Sequence, residues 1–364
     1  MKLLTVVGAR PQLIKASPFS IALRKAHTEV LVHTGQHYDA TMSDVFFNEL
    51  GIPRPDHHLG VGSASHGVQT GAMLGAVESV IEKESPDAVV VFGDTNSTLA
   101  GALASAKLNV PVAHVEAGLR SFNRRMPEEV NRVLTDHVST WLFTPSPVAS
   151  ANLAAEGITS GVHEVGDIMV DALRIHADRA EDHSRLLERL GLERGGYYLA
   201  TVHRAENTDR RERLSAIFAA FAELDRPLVL PLHPRTEKRL LEMGIAPGPN
   251  VMLLEPLGYL DMLLAQRYAR AILTDSGGMQ KEAYYLRVPC VTLRDETEWV
   301  ETVESGWNVL AGADSRAVLE AVGRIVNPAI PHPELYGDGR TSERIVETLV
   351  SAIEPAAEPL AGSR

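Results

Sequence analysis

Short apolar segments alternate with longer amphipathic stretches along almost the whole chain. The apolar segments predict buried strands, and they lie at 3–7, 30–33, 88–92, 111–115, 141–143, 162–165, 197–202, 228–232, 251–254, 271–274 and 289–293. The amphipathic stretches predict helices between the strands, including 67–83, 97–107, 208–224 and 277–286. Near-continuous apolar strands that alternate with helices are typical of parallel sheets covered on both faces. The pattern therefore predicts an α/β fold.

A charged stretch near the middle of the chain separates the predicted strands into two series. Residues 174–194 are poor in strand formers and compatible with a helix, so we interpret them as the connection between two doubly wound halves. A chain of 364 residues also exceeds one comfortable core, and domains of roughly 150 residues would make two. After a last amphipathic helix at 342–353, residues 354–364 have the composition of a disordered tail.

The composition restricts the kinds of partner. A net charge of −12 argues against nonspecific binding to nucleic acid or to an anionic membrane. No apolar run approaches the ~20 residues that a bilayer crossing needs, and the first strand begins too early to leave room for a signal peptide. We therefore expect a cytoplasmic protein. The single cysteine, Cys290, lies in an apolar run and is interpreted as a small buried hydrophobic residue.

The segment 271–282 has the pattern of a phosphate-binding turn. An apolar strand ends at Thr274, Ser276 can cap a following helix, and Gly277-Gly278 leaves the backbone open to a ligand. Unpaired N–H groups and the positive end of the helix dipole favour an anion in front of such a turn. Glu282 lies one further turn along this helix, where its carboxylate could accept both hydroxyls of a ribose. The alternative is an ordinary glycine-rich junction between a strand and a helix.

Further polar residues follow the predicted strands, at the edge of a parallel sheet where ligands bind. They are two cations, three carboxylates and a histidine, namely Arg10, Lys15, Asp94, Glu116, Glu128 and His203. Taken singly, each has a structural alternative as a helix cap, a solvated first turn, an ion pair or a hydrogen-bonded histidine. Their common position is what favours a site. The first turn has no Gly-x-Gly-x-x-Gly, which argues against a dinucleotide cofactor.

The order of these motifs resembles that of a known family. The matching segments are Gly8-Ala9-Arg10-Pro11, Gly35-Gln36-His37, Phe92-Gly93-Asp94-Thr95, His114-Val115-Glu116-Ala117-Gly118-Leu119-Arg120, Pro127-Glu128-Glu129 with Asn131-Arg132, Val165-Gly166-Asp167, His203-Arg204 with Glu206-Asn207, and Thr274–Gly278. From about residue 3 to about residue 350, the chain closely resembles the non-hydrolysing UDP-N-acetylglucosamine 2-epimerases. The resemblance implies two Rossmann-like doubly wound domains with a central cleft, the GT-B-type architecture of many sugar-nucleotide glycosyltransferases. It places one domain at 1–167 with a returning helix at 341–353, and a UDP-binding domain at 168–340.

The resemblance also implies a reaction and a role for each candidate residue. UDP would leave C1 of the sugar, C2 would lose its proton to give a glycal, and re-addition after protonation from the other face would invert C2. Asp94, Glu116 and Glu128 would be the acid/base carboxylates. His203, Arg10 and Lys15 would contact the diphosphate, Ser276, Gly277 and Gly278 would hold phosphate, and Glu282 would hold the ribose. The route needs no NAD and no metal, and the implied partners are a UDP-sugar and a second copy of the chain in a homodimer.

Two departures from the family pattern leave the substrate open. Many members carry Arg-Pro between the two glutamates of the segment that here reads Glu298-Trp299-Val300-Glu301, and their arginine helps to hold UDP. Ala205 likewise replaces an arginine that often follows His-Arg. The Glu-Trp-Val-Glu form resembles the branch that acts on UDP-diacetamido-uronic acids, and it also resembles some archaeal-type members. A glycosyltransferase of the same architecture is the alternative from another class, although it would usually need only one base near the sugar.

Overall fold

The computed structural model describes residues 1–36, 47, 49–325 and 330–353. The motif residue His37 and the predicted tail at 354–364 lie outside these ranges. The chain divides into two compact units. The first holds Met1–Ile175 and the segment that begins at Tyr336, and the second holds His176–Leu335. The sequence analysis expected the divisions at 167/168 and 340/341.

Hydrogen bonds to Asp171 explain why the start of the long helix Ile168–His183 belongs to the first unit. The buried Asp171 carboxylate accepts from the backbone N–H groups of Thr341, at 3.1 Å, and Ser342, at 2.9 Å. These residues begin the last helix, Thr341–Ile353. A carboxylate at a helix N-terminus satisfies orphan N–H groups, and here it fixes the returning helix to the first unit.

The described part of the first unit contains a seven-stranded parallel sheet in the order β3-β2-β1-β4-β5-β6-β7. The strands are β1 (Lys2–Val7), β2 (Thr28–His33), β3 (His57–His58), β4 (Ala88–Phe92), β5 (Val112–Val115), β6 (Trp141–Thr144) and β7 (Val162–Glu164). The helices that accompany them are Arg10–Leu23, His66–Glu84, Asn96–Lys107, Pro127–Val138 and Pro147–Ala155. The strand order reverses between β1 and β4, and ligands bind at such a switch point.

The second unit repeats the arrangement, with a six-stranded parallel sheet in the order β10-β9-β8-β11-β12-β13 in its described part. The strands are β8 (Tyr198–Thr201), β9 (Leu228–Pro231), β10 (Val251–Leu254), β11 (Ile272–Thr274), β12 (Cys290–Thr292) and β13 (Asn308–Leu310). The helices are Leu186–Leu190, Ala205–Thr208, Arg211–Ala222, Pro234–Met243, Tyr259–Arg267, Gly277–Tyr285, Val300–Glu304 and Ser315–Ile325. The switch point lies between β8 and β11. The predicted α/β class with two doubly wound halves is confirmed.

The differences from the predicted elements are local. The short strand β3 consists of two histidines, and β13 has only three residues, so neither carries a strand-length apolar pattern. The helix predicted at 208–224 is interrupted, because Arg210 adopts an extended backbone conformation before the helix Arg211–Ala222. Each sheet has its own apolar core. Cys290 is buried in the second unit, where burial raises the pKa of its thiol to about 12.

None of the helices in the described ranges combines the length and the apolar character that a bilayer crossing requires.

Candidate active site

Asp94 and Glu116 follow the neighbouring strands β4 and β5 at the carboxyl edge of the first sheet. Glu116 has a φ of +72°, a left-handed conformation that costs a non-glycine residue energy. Its side chain turns toward the β4 loop, since a methyl group built on Gly93 would lie 3.3 Å from Glu116 Oε2. A strained backbone that directs a buried carboxylate to a ligand-binding edge is a feature of functional sites.

Lys15, on the helix after β1, forms an ion pair with Glu116. Burial alone would lower the pKa of the Lys15 ammonium, but the negative charges of Glu116, Asp94 and Asp167 outweigh it and raise this pKa. Lys15 was predicted to contact a diphosphate, and in this structure its partner is a predicted catalytic carboxylate. Arg10, the first residue of the same helix, is exposed.

The helix Pro127–Val138 carries Glu128 and is attached to the loop of Asp94. Arg132 Nη1 donates to Asp94 Oδ2 at 2.5 Å, and Asn131 Nδ2 donates to the Asp94 carbonyl oxygen at 2.9 Å. Glu128 lies exposed in the first turn of this helix. The structure therefore brings the segments of the three predicted acids together in the first unit.

Glu129 has a different role from its neighbour Glu128. Its buried carboxylate accepts from the backbone N–H groups of Ser121, at 2.9 Å, and Phe122, at 2.8 Å, and it pairs with Arg132 at 2.8 Å. Glu129 thus fixes the preceding loop to the helix. The sequence alone gave no signal that separates these two adjacent glutamates.

In the second unit, the turn after β11 has the predicted form of a helix N-terminus. Ser276 is the N-cap of Gly277–Tyr285, and its Oγ accepts from the Met279 N–H at 3.5 Å. The amide groups of Gly277 and Gly278 lie in the first turn, where N–H groups have no acceptor within the helix. A methyl group on Gly278 would meet only Ser276 Oγ, at 3.9 Å, so this approach to the backbone is open.

Asp275, which the sequence analysis did not single out, connects this turn to the loop after β8. It is fully buried and accepts from the backbone N–H groups of His203, at 3.1 Å, and Arg204, at 3.0 Å. Asn207 Nδ2 donates to the same carboxylate at 3.1 Å. Asp275 therefore fixes the position of His203 relative to the capped helix. In the sequence, only the position of Asp275 next to Ser276 indicated that it has a role in the site.

The His203 ring lies beside this buried acid, with Nδ1 3.7 Å from Asp275 Oδ1. Burial lowers the pKa of His203, and the negative charge of Asp275 opposes this effect without cancelling it. The ring is therefore mainly neutral at neutral pH. The ring of His233 lies 5.9 Å away, centroid to centroid.

Glu282 lies on the capped helix Gly277–Tyr285, and Trp299 lies close to the start of that helix. The Glu282 carboxylate accepts from Gln266 Nε2 at 2.9 Å, and burial raises the pKa of Glu282. A methyl group on Gly277 would overlap Glu298 Oε1 and would lie 3.4 Å from Trp299 Nε1. Trp299 therefore lies beside the start of the turn after β11, and Lys281 Nζ lies 4.4 Å from its ring centroid.

Two further arginines lie near this turn. Arg294 Nη1 donates to Glu298 Oε2 at 2.8 Å, and Arg204 Nη2 lies 3.9 Å from Glu298 Oε1. An anionic ligand in an acidic protein needs local cations, and both arginines lie near this turn, where they pair with Glu298. Only Arg204 belonged to a motif quoted from the sequence.

Comparison with known proteins identifies the family. A family model described as UDP-N-acetylglucosamine 2-epimerase matches residues 21–350. The chain belongs to the UDP-N-acetylglucosamine 2-epimerase family. The resemblance inferred from the motifs is thereby confirmed, and membership in an epimerase family implies an isomerase.

The relatives of this chain differ in their named substrates. A UDP-N-acetylglucosamine 2-epimerase homolog of Methanococcus maripaludis is 52% identical over 355 residues, with 96% of this chain and 99% of the relative covered. The UDP-2,3-diacetamido-2,3-dideoxy-D-glucuronate 2-epimerase of Pseudomonas aeruginosa is 49% identical over 358 residues, with the same coverage.

Solved structures agree on the architecture. The crystal structure of the Methanocaldococcus jannaschii UDP-GlcNAc 2-epimerase in complex with UDP-GlcNAc and UDP matches with a TM-score of 0.82 and 45% identity. The match covers 96% of this chain and 99% of the Methanocaldococcus chain. The calicheamicin glycosyltransferase CalG4 matches with a TM-score of 0.59 and 15% identity over 98% of this chain and 99% of its own, which shows a likeness of fold alone. The predicted GT-B-type fold class is confirmed. The roles assigned to single residues, and the absence of NAD and metal from the reaction, stay predictions.

Proposed function

We propose that this family member is a non-hydrolysing UDP-N-acetylglucosamine 2-epimerase. It interconverts UDP-N-acetylglucosamine and UDP-N-acetylmannosamine by elimination and re-addition of UDP. The observation that carries the proposal is the cluster of Asp94, Glu116 and the helix of Glu128, with Lys15 paired to Glu116, at the switch point of the first sheet. Inversion at C2 by removal and return of a proton needs acid/base groups on both faces of the ring, and this cluster can supply them.

The proposed reaction begins at C1. The C1–O bond breaks, its electron pair leaves with UDP, and the positive character at C1 acidifies the proton on C2. A carboxylate takes that proton, and a glycal forms beside bound UDP. A second acid protonates C2 from the opposite face, and UDP returns to C1. The roles of Asp94, Glu116 and Glu128 on the two faces remain interchangeable in this scheme.

The Lys15 ammonium pairs with Glu116, so the proposed base lies beside a proposed contact of the diphosphate. On diphosphate binding, Lys15 and Arg10 would contribute positive charge to the leaving group, which positioned cations stabilise.

In the second unit, the proposal assigns UDP to the capped helix. Ser276, Gly277 and Gly278 would bind phosphate oxygens through the helix N-terminus, and the neutral His203 would donate a further hydrogen bond. Glu282 would accept from the ribose hydroxyls. Arg204 and Arg294, which lie near Glu298, add positive charge to the same turn.

The family resemblance carries the remaining parts of the proposal. We expect a homodimer that acts in the cytoplasm and provides a precursor for cell-surface polysaccharide. Two alternatives remain for the reaction. Trp299 and the Pseudomonas relative favour a UDP-2,3-diacetamido-uronic acid as the substrate. A glycosyltransferase is disfavoured, because several acids clustered at one sheet edge exceed what a transfer with a single base needs.

The experiment that tests the substrate compares the two UDP-sugars. Purified protein is incubated separately with UDP-N-acetylglucosamine and with the UDP-2,3-diacetamido-glucuronic acid, and the C2 epimers are measured by proton NMR. We expect a higher kcat/KM for UDP-N-acetylglucosamine, with the Glu116→Gln variant as the inactive control. A higher kcat/KM for the uronic acid would replace the proposed substrate by the alternative, and no epimer from either would refute the function.

A further inference from the structure

His114, on strand β5, has two hydrogen-bond partners in the interior of the first unit. Its side chain is fully buried, with Nδ1 2.6 Å from Asp136 Oδ1 and Nε2 2.8 Å from the carbonyl oxygen of Gly93. Asp136 lies on the helix Pro127–Val138, so the ring connects that helix to the turn after β4.

The chemistry of the two partners decides where the protons are. A carbonyl oxygen only accepts, so Nε2 must carry a hydrogen. The other Asp136 oxygen accepts from the Gly118 N–H at 3.1 Å and from Arg120 Nη1 at 2.7 Å. With two donors on that oxygen, one of them a guanidinium, Asp136 is an ionised acceptor, and Nδ1 must carry a hydrogen as well.

We infer that His114 is a buried imidazolium and that, with Asp136, it is a positioning residue for the three carboxylates of the site. One ring connects the segments of all three. Gly93, whose carbonyl it binds, precedes Asp94 and has a φ of +64°. His114 itself precedes the strained Glu116 by two residues on the same strand end. Asp136 holds the helix whose first turn carries Glu128.

If His114 only linked the helix to the turn after β4, its ring would not need a positive charge. Arg120 already neutralises the Asp136 carboxylate, and it also pairs with Glu156 at 2.7 Å. A second cation buried beside them costs desolvation energy. The hydrogen on His114 Nε2 is donated to the Gly93 carbonyl oxygen, in the turn that leads to Asp94.

The first test observes the protons directly. In protein labelled with ¹⁵N-histidine, long-range nitrogen–proton correlation spectra distinguish an imidazolium from either neutral tautomer. We expect both nitrogens of His114 to be protonated at neutral pH, with the signal assigned by its loss in His114→Gln. A neutral tautomer at this position would overturn the inference.

The second test rests on the proposed epimerase function and separates positioning from binding. His114→Gln should lower kcat by on the order of a hundredfold, because small displacements of catalytic groups cost that much, and should leave KM unchanged. His57→Gln is the matched control, since His57 Nε2 also hydrogen-bonds a carboxylate, Glu84 Oε1 at 2.9 Å, outside the carboxylate cluster. An unchanged kcat in His114→Gln, or a loss expressed in KM instead, would refute the positioning role.

A second variant covers the case in which His114→Gln does not fold. Asp136→Asn keeps the size of the partner and removes its charge, so we expect the same loss of kcat together with the loss of one imidazole proton. Full kcat in a folded Asp136→Asn would contradict the inference. A wild-type protein without epimerase activity would refute the proposed function, while the nitrogen spectra would still decide the state of His114.

Discussion

The ammonium group of Lys15 and the carboxylate of Glu116 form an ion pair in the first unit, between the helix after β1 and the loop after β5. The Glu116 side chain is only 7% exposed, and that of Lys15 is 21% exposed. Each charge therefore depends on the other for its stabilisation. The pair also joins a residue predicted to bind the leaving group to a residue predicted to move a proton.

Removing Lys15 alone should destabilise the protein more than removing both members of the pair. Lys15→Met leaves a buried carboxylate without its cation, and we expect a loss of about 3 kcal/mol in the free energy of unfolding, the lower end for a broken buried pair because Lys15 is partly exposed. The double variant Lys15→Met/Glu116→Gln should lose less. Urea unfolding of wild type, Lys15→Met, Glu116→Gln and the double variant measures the coupling, and strictly additive losses would contradict a dependent pair.

Ser276→Ala should weaken UDP binding as well as the helix. The substitution removes the N-cap hydroxyl at the turn proposed to hold phosphate, and a lost cap costs about 1 kcal/mol of stability. Ser146→Ala is the matched control, because Ser146 Oγ caps the helix Pro147–Ala155 by accepting from the Ala149 N–H at 3.3 Å. Calorimetry should show a lower UDP affinity only in Ser276→Ala. Equal UDP affinity in both variants would remove Ser276 from the site.

Glu282→Gln should make the folded protein more stable at neutral pH while it weakens UDP binding. Burial raises the Glu282 pKa above its ordinary value of 4.5, so the folded state favours the protonated form. Stability then falls as the pH rises from 4.5 through the folded-state pKa, because the folded state binds more protons than the unfolded state in that interval. The cost is present at pH 7 and absent well below pH 4.5.

The melting temperatures of wild type and Glu282→Gln are compared at pH 7 and well below pH 4.5. Glutamine keeps an acceptor for Gln266, so the gain should appear only where Glu282 would be charged. A variant that is less stable than wild type at pH 7 would show that the carboxylate is structurally required.

Trp299→Arg should change the preference between the two candidate UDP-sugars. Because Trp299 Nε1 lies near the Gly277 position, an arginine here would add a cation close to the bound anions. Val300→Arg is the control, since this neighbouring side chain is 54% exposed. The ratio of the two kcat/KM values should change in Trp299→Arg alone. The same ratio in wild type and Trp299→Arg would place this side chain outside the site.

Much of the fold follows from the apolar pattern, because strands buried on both faces produce runs that the sequence displays directly. Strand β4 is an example, since its five residues are all buried and all apolar. The strand β3 was missed because two histidines carry no such pattern. β3 pairs with β2, and this pairing depends on tertiary contacts that a local sequence pattern does not contain.

The candidate site was predictable for a different reason, namely that chain order places residues at strand ends. This located Asp94, Glu116, His203 and Ser276. Chain order could not identify the partners of Asp275, Asp136 and Arg132, which lie on other elements of the same unit. Such contacts between distant segments are set by packing, and a single sequence does not display them. The pairing of Lys15 with Glu116 was missed for the same reason.

The central claim is that the protein removes and restores the proton on C2 of a UDP-sugar. Wild-type protein is incubated with UDP-N-acetylglucosamine in D2O without an acceptor, and NMR follows C1 and C2. We predict deuterium at C2 in both epimers, with exchange slowed on the order of a hundredfold or more in Asp94→Asn, Glu116→Gln and Glu128→Gln, as expected for positioned acid/base groups. Glu82→Gln, an exposed carboxylate on the helix His66–Glu84, should exchange at the wild-type rate. Full retention of the C2 proton in the wild-type reaction would contradict the account.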